Sequence, residues 1–163
     1  MSTHAEIGRL REDGFLQHIY LHWDGYTEWA GRMLQEHYNT PKKVDALINL
    51  GSLSALYERL APNPGEKHSF ENPVLSGPNG GVTVAYHRDR KEPLRISQAN
   101  VYGDIAFAFG KLVATGNQYL YLYDEKTGVW YIGRSNRHGK DVEYEPLADA
   151  IAALDKPESE EDT

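Results

Sequence analysis

The densest run of chemistry-bearing side chains is His22-Trp23-Asp24-Gly25-Tyr26, which brings a proton-transfer group, a carboxylate and stacking aromatics together. There, His22 and Asp24 could act as an acid/base pair with His87, while Trp23 or Tyr26 stacks a planar ligand. The plainer alternative makes Asp24-Gly25 a turn, Trp23 a core residue and His22 a cap on a sheet edge, and general burial tendencies favour it. A second cluster, His87-Arg88-Asp89-Arg90, suits phosphate recognition by Arg88 or Arg90. Pairing of those arginines with nearby acids is the commoner use of such a run. A third feature is the alternating row Tyr119, Tyr121 and Tyr123, followed by Trp130 across a turn. If Leu120 and Leu122 supply the buried side of that strand, the tyrosines and Trp130 form an interface for a partner. The basic residues Arg134, Arg137, His138 and Lys140 follow it. They read as a solvated loop that could assist an acidic partner.

Metal chemistry has little support in the pattern. The chain has no cysteine, which excludes disulfides, thiolate metal sites and a cysteine nucleophile. His18 and His22 share a strand face, but at about 3.3 Å per residue their Cα atoms are about 13 Å apart, too far for one ion. No metal and no cofactor is therefore expected. The serine-hydrolase elbow, the P-loop, the dinucleotide fingerprint and HExxH are all missing, so an enzymatic role is disfavoured without being excluded.

The elements that must position these residues follow from periodicity. Asp13-Gly14 predicts a hairpin turn, with Phe15, Gln17, Ile19, Leu21 and Trp23 alternating to one face of the second arm and Leu16, His18, Tyr20 and His22 to the other. Thr27 is placed to cap a helix through Ala30, Met33, Leu34 and Tyr38, ending near Asn39. Thr40-Pro41 starts a second, stopped by Gly51, and Ser52 a third, through Leu60. The proline- and glycine-rich stretch from Pro62 to Gly81 is a long loop, a length that usually marks function or mobility. Val82 to His87 alternates like a strand. Val101 to Val113 fits both periods, and its length and alanine content favour a helix. Gln118–Tyr123 and Val129–Ile132 form a hairpin, and Pro146 begins a last helix through Leu154. The expected fold is α+β: a single domain over residues 1–154, with an antiparallel sheet of about five strands and helices packed on one face.

The chain has 163 residues, a mass of 18.4 kDa and a formal charge of −7. Five acids against one lysine leave residues 155–163 at −4 and the rest at only −3, so the acid excess is largely a solvated, disordered tail. That balance disfavours direct DNA binding. No apolar run is long enough to cross a bilayer and the N-terminus lacks signal-peptide order, so a cytoplasmic protein with no membrane partner is expected.

The ordered set IYLHWDGYTEWAGRMLQEHY, PKKVDALINLGSLSAL, VTVAYHRDR and QYLYLYDEKTGVWYIG resembles a family of small proteins of tailed phages, prophages and mobile elements. In that family a proline and then a glycine usually follow HWDGY, where this chain has Thr27 and Trp29-Ala30. The resemblance implies an accessory protein in the cytoplasm of a bacterial host. It brings no activity to transfer. Two expectations result. The leading one is a non-enzymatic protein that binds and inhibits a host protein or protein complex, such as an anti-defence, anti-CRISPR-like inhibitor working through Tyr119, Tyr121, Tyr123 and Trp130. The alternative is a binder or hydrolase of a phosphorylated small molecule such as a nucleotide signal, with His22, Asp24 and His87 doing acid/base work, Trp23 or Tyr26 stacking, and Arg88 or Arg90 holding phosphate.

Overall fold

The Asp13-Gly14 dipeptide closes the first hairpin, with Gly14 at φ 92°, a conformation open to glycine. In the computed structural model, which describes residues 3–135 and 142–156, its arms are β1 (Ala5–Leu10) and β2 (Phe15–Leu21). They pair antiparallel with Leu10 opposite Leu16 and Ala5 opposite Leu21. On the far side of β1 lies β6 (Tyr119–Asp124), running parallel to it, followed by antiparallel β7 (Val129–Ser135) and β8 (Val142–Pro146). On the far side of β2, β3 (Leu53–Ala55) pairs parallel at Leu21 and carries β4 (Val84–Ala85) antiparallel on its outer edge. The first half of β2 instead pairs with β5 (Ser97–Asn100).

The fold is α+β, and among the described residues it has one mixed sheet of eight strands in the order β4-β3-β2-β1-β6-β7-β8, with β5 also on β2. The expected sheet of about five antiparallel strands is corrected on both counts. Its parallel pairs arise because β1 and β6 are joined through helices rather than a hairpin. The missed strands β3, β5 and β8 have three, four and five residues, too short to show a period.

Helices α1 (Arg32–His37), α2 (Pro41–Ile48) and α5 (Leu147–Leu154) cover one face. Before α1 the chain makes a π-helical turn over Thr27–Gly31 with Tyr26 at its N-cap, so Thr27 is not the cap. The start of α2 is as expected: Thr40 Oγ1 accepts from Lys43 N at 3.3 Å, ahead of Pro41. Helix α4 (Ile105–Val113), capped by Asp104, covers the opposite face. Helices therefore lie on both faces, which corrects the one-sided arrangement. Two further segments differ from expectation. Ser52–Leu60 gives β3 and irregular chain rather than a helix, and the strand predicted over Val82–His87 ends at Ala85, where Tyr86–Arg90 winds into a short helix, α3.

The core has two layers. Ile7, Ile19, Leu21, Tyr121 and Tyr123 meet Leu34, Val44, Leu47 and Leu147 on the first face; Leu10, Leu16, Leu120 and Leu122 meet Ala108, Phe109 and Leu112 of α4 on the second. Each such large side chain contributes about 1.5–3 kcal/mol by burial. α4 sits so close to β7 that a Cβ on Gly133 would fall 2.5 Å from the Phe109 ring. The stretch Pro62–Gly81 contains no helix or strand. It is tied down nonetheless, by Arg59 to Glu66 at 2.5 Å, His68 to Asp89 at 3.2 Å and Val82 N to Val74 O at 2.7 Å. The Arg59 hydrogen bonds, with the Asn63 N–H, hold the Glu66 carboxyl down to about 2. Residues 157–163 of the acidic tail lie outside the described residues, while Asp155 pairs with Arg32 at 2.6 Å. Among the described residues no helix is long and apolar enough to cross a membrane.

Candidate functional site

The outer edge of β2 changes partner partway along its length. β5 pairs with Phe15 through His18 and β3 joins at Leu21, so Ile19 and Tyr20 face a notch between two neighbouring strands. On the same sheet face, α4 covers the apolar side chains and ends at Val113. Beyond its end the face turns polar: Glu6, His18 and Tyr20 replace Leu10, Leu16 and Leu122. Two adjoining cavities occupy this ground. One of about 230 Å³ is lined by Tyr86, Arg90, Glu92 and Pro93, the other of about 380 Å³ by Glu6, His18, Ser97, Thr115 and Asn117; Tyr20, Ser52 and Arg95 line both. The shared residues make them one groove, of a size that falls within the range of about 300–1,000 Å³ typical of small-molecule sites.

At the inner end His18 Nδ1 lies 2.5 Å from Glu6 Oε2, and both side chains are almost fully buried. Asn117 Nδ2 donates to the other Glu6 oxygen at 2.8 Å, fixing the carboxylate. With the carboxylate as acceptor, Nδ1 is the ring nitrogen that carries a hydrogen. Nε2 has no hydrogen-bond partner among the described residues, and the ring lines the cavity. Beside it, the Tyr20 hydroxyl lies 2.9 Å from His4 Nδ1 and 2.8 Å from His22 Nδ1, while His4 Nδ1 lies 2.8 Å from the His22 carbonyl. We assign the proton on His4 Nδ1 to the His22 carbonyl and the Tyr20 proton to His22 Nδ1. Desolvation, with the His4 charge, pushes the His22 imidazole below its ordinary pKa, which agrees with an unprotonated acceptor at Nδ1. Burial, with Tyr86 and Glu6 nearby, pushes the Tyr20 hydroxyl up, so it stays a donor at neutral pH.

At the outer end the Arg90 guanidinium stacks 4.2 Å from the Phe70 ring centroid and 5.0 Å from that of Tyr86, and pairs with Glu92. Arg95, at the junction, is exposed and makes no hydrogen bond or ion pair among the described residues. The groove thus offers an arginine at its centre, an aromatic face at one end and a carboxylate-held imidazole at the other.

The structure separates the residues expected to share a site. His22 joins Tyr20 and His4, whereas Trp23, 45% exposed, and Asp24 line a different cavity of about 330 Å³ with Tyr57, Phe70 and Pro73. Asp24 lies at φ 54°, and the Tyr26 hydroxyl has its pKa raised by burial and by the Asp24 carboxylate. His87 Nδ1 lies 2.7 Å from the Glu92 carbonyl. Arg88 is corrected as a phosphate ligand: it donates to the Leu60 and Thr83 carbonyls at 2.5 and 2.6 Å and to Asp89, fastening α3 to the preceding loop. Burial works to raise Asp89, but Arg88, the Ala85 N–H and His68 hold it below the usual carboxylate range. Of the two arginines, Arg90 alone faces the groove.

The exposed tyrosine row is also corrected. Tyr121 and Tyr123 are 0% and 1% exposed and Trp130 is 2% exposed, with Tyr119 partly buried at the edge of the same core layer. The alternation was legible but both faces are covered, so neither side of β6 reaches solvent. The polar ends are satisfied internally: Tyr121 donates to the Gly25 carbonyl at 2.7 Å and Trp130 Nε1 to the Tyr38 carbonyl at 2.7 Å. In the basic loop, residues 136–141, including Arg137, His138 and Lys140, lie outside the described residues.

Sequence reasoning does not single out Glu6, Arg95 or Asn117, and it considers His18 only for metal binding. Extending the hairpin register back from Asp13-Gly14 would have placed Glu6 beside His18. Arg95 and Asn117 sit in irregular chain and carry no such signal. Among the described residues no group of three or more His, Cys, Asp or Glu is arranged to hold a metal ion. Comparison of the chain with family models, with curated proteins and with solved structures finds no match.

Proposed function

We propose that the chain binds a small phosphorylated molecule of mononucleotide size in the groove between β2, β5 and the end of α4. The observation that carries this reading is Arg95, a guanidinium without a protein partner among the described residues, standing where two cavities join. An arginine left uncommitted beside the Ser52 hydroxyl suits the charge and fork geometry of a phosphate. Tyr86 and the Arg90 guanidinium stacked on it line the end of the groove against which a base would lie. The test is isothermal titration with the four ribonucleoside monophosphates. Wild type binds at least one of them, and Arg95→Ala weakens that binding by about tenfold or more, the scale of one charge-assisted hydrogen bond. Failure of all four to bind would overturn the reading.

A second reading, that the chain blocks a host protein or complex in the manner of an accessory protein of a mobile element, rests on a surface other than the tyrosine row. Tyr102 is 78% exposed and Phe107 44%, their rings 6.4 Å apart, with Lys111 Nζ 5.5 Å from the Phe107 ring. An aromatic pair left uncovered on a charged surface suits a protein partner. It predicts that a Tyr102→Asp, Phe107→Asp double variant loses a host complex that wild type and Arg95→Ala both retain. Retention by the double variant would reject this surface.

A further inference from the structure

We infer that His18, held by Glu6, is the general base of a phosphodiesterase site acting on a cyclic mononucleotide seated in the groove. The inference rests on the ligand reading above and adds a reaction to it.

An ion pair that serves the fold alone has no need of an imidazole nitrogen kept open. Here Nδ1 is spent on Glu6 at 2.5 Å, while Nε2 has no partner among the described residues and its ring lines the cavity. Asn117 stops the carboxylate from swinging away, at 2.8 Å. A base oriented by a second group, itself oriented by a third, is the arrangement general-base catalysis requires. The order along the groove supplies the rest: Tyr86 and Arg90 at one end, Arg95, Ser52 and Tyr20 at the junction, His18 at the other end. A ligand with its base against Tyr86 and its phosphate at Arg95 presents the phosphorus toward His18. The junction is also where charge builds on the phosphate oxygens in the transition state, and Arg95 stands there to meet it. A cyclic mononucleotide is a ligand of that length that carries a base, a phosphate and an ester P–O bond that water can open.

The step balances with water as the only co-reactant. His18 Nε2 takes a proton from water as the water oxygen bonds to phosphorus. The P–O bond to one ribose oxygen breaks, and that oxygen keeps the electron pair and takes a proton from solvent. The imidazolium then returns its proton to solvent, leaving a nucleoside monophosphate. Glu6 is a positioning residue, touching His18 rather than the reacting atoms.

The full chain is incubated with each of the four 2′,3′-cyclic ribonucleotides, and ring opening is followed by phosphorus NMR while binding is titrated separately. Wild type opens at least one of them. His18→Ala slows opening by about 100-fold or more, the low end for loss of a general base, while its affinity for the same nucleotide stays within about threefold. Added imidazole restores part of the lost rate, which a purely structural role for His18 would not allow. Glu6→Gln lowers kcat and leaves KM unchanged. His18→Gln, closer in volume, replaces His18→Ala if circular dichroism shows that the latter does not fold. Binding without ring opening in wild type overturns the inference and leaves the ligand reading standing; absence of binding overturns both. Ring opening undiminished in His18→Ala or His18→Gln removes His18 from the reaction.

Discussion

One face of the sheet carries two regions that differ in kind. Under α4 it is a packed apolar layer, in which Leu16, Leu122, Phe109 and Leu112 are 0% exposed. Past the end of α4, strands β1 and β2 continue in unbroken register, yet their side chains become Glu6, His18 and Tyr20, each bonded to another polar group. The backbone does the same work in both halves. What changes is the cover: where the helix stops, an apolar side chain would lie open to water, and a polar one must find a partner. Of the two arginines that line the groove, Arg90 pairs with Glu92, and Arg95 makes no hydrogen bond or ion pair among the described residues.

That contrast can be broken from either side. The largest effect is expected in the apolar half, where Phe109→Ala removes a ring packed on Gly133 and stacked on Tyr144 at 5.0 Å. It should cost about 3–5 kcal/mol by denaturant unfolding. If ligand affinity collapses in the fraction that remains folded, the two halves are not independent. A smaller loss tests the corrected tyrosine row: Tyr121→Phe removes one buried hydrogen bond to the Gly25 carbonyl and should cost about 1–2 kcal/mol. No loss would mean that the hydroxyl contributes nothing to the core.

Acid should act on the polar half. Because the folded pKa of His22 lies below its unfolded value of 6.5, the unfolded chain binds a proton that the folded chain still refuses. The His22 contribution is fully present above that value and is lost as the pH falls through the lower folded one. Thermal melts between neutral and mildly acidic pH should show this slope, and His22→Gln should flatten it; an unchanged slope in the variant assigns it elsewhere. The smallest effect on stability belongs to Arg95→Ala, which should lie within about 0.5 kcal/mol of wild type, as for a surface change. A loss several times larger would make Arg95 a structural residue and close the contrast.

Much of the frame was legible in the sequence. The Asp13-Gly14 and Asp124-to-Gly128 turns, Thr40-Pro41, Gly51 and the alternation of both hairpins announce themselves locally, because turn chemistry and periodicity are local. The sidedness of β6 was legible too, but its exposure was not: whether Tyr121 faces solvent depends on α1, α2 and α5 arriving from distant parts of the chain. The most eye-catching segments misled for a related reason. Arg88 and Asp89 look like phosphate chemistry and are spent on holding α3, whereas Glu6 and His18 are ordinary in sequence and meet only through the hairpin register. Arg95 and Asn117 have no periodic context, and only the assembled sheet brings them to one groove.

The central claim is that the polar half of this sheet face is a ligand site. The most direct measurement is a titration of the isotope-labelled chain with the tightest-binding ribonucleoside monophosphate, read by proton–nitrogen NMR. The perturbed signals should gather at His18, Tyr20, Ser52, Tyr86 and Arg95, leaving the residues under α4 unmoved. Perturbations centred on Trp23 and Asp24, or none at saturating nucleotide, would contradict it.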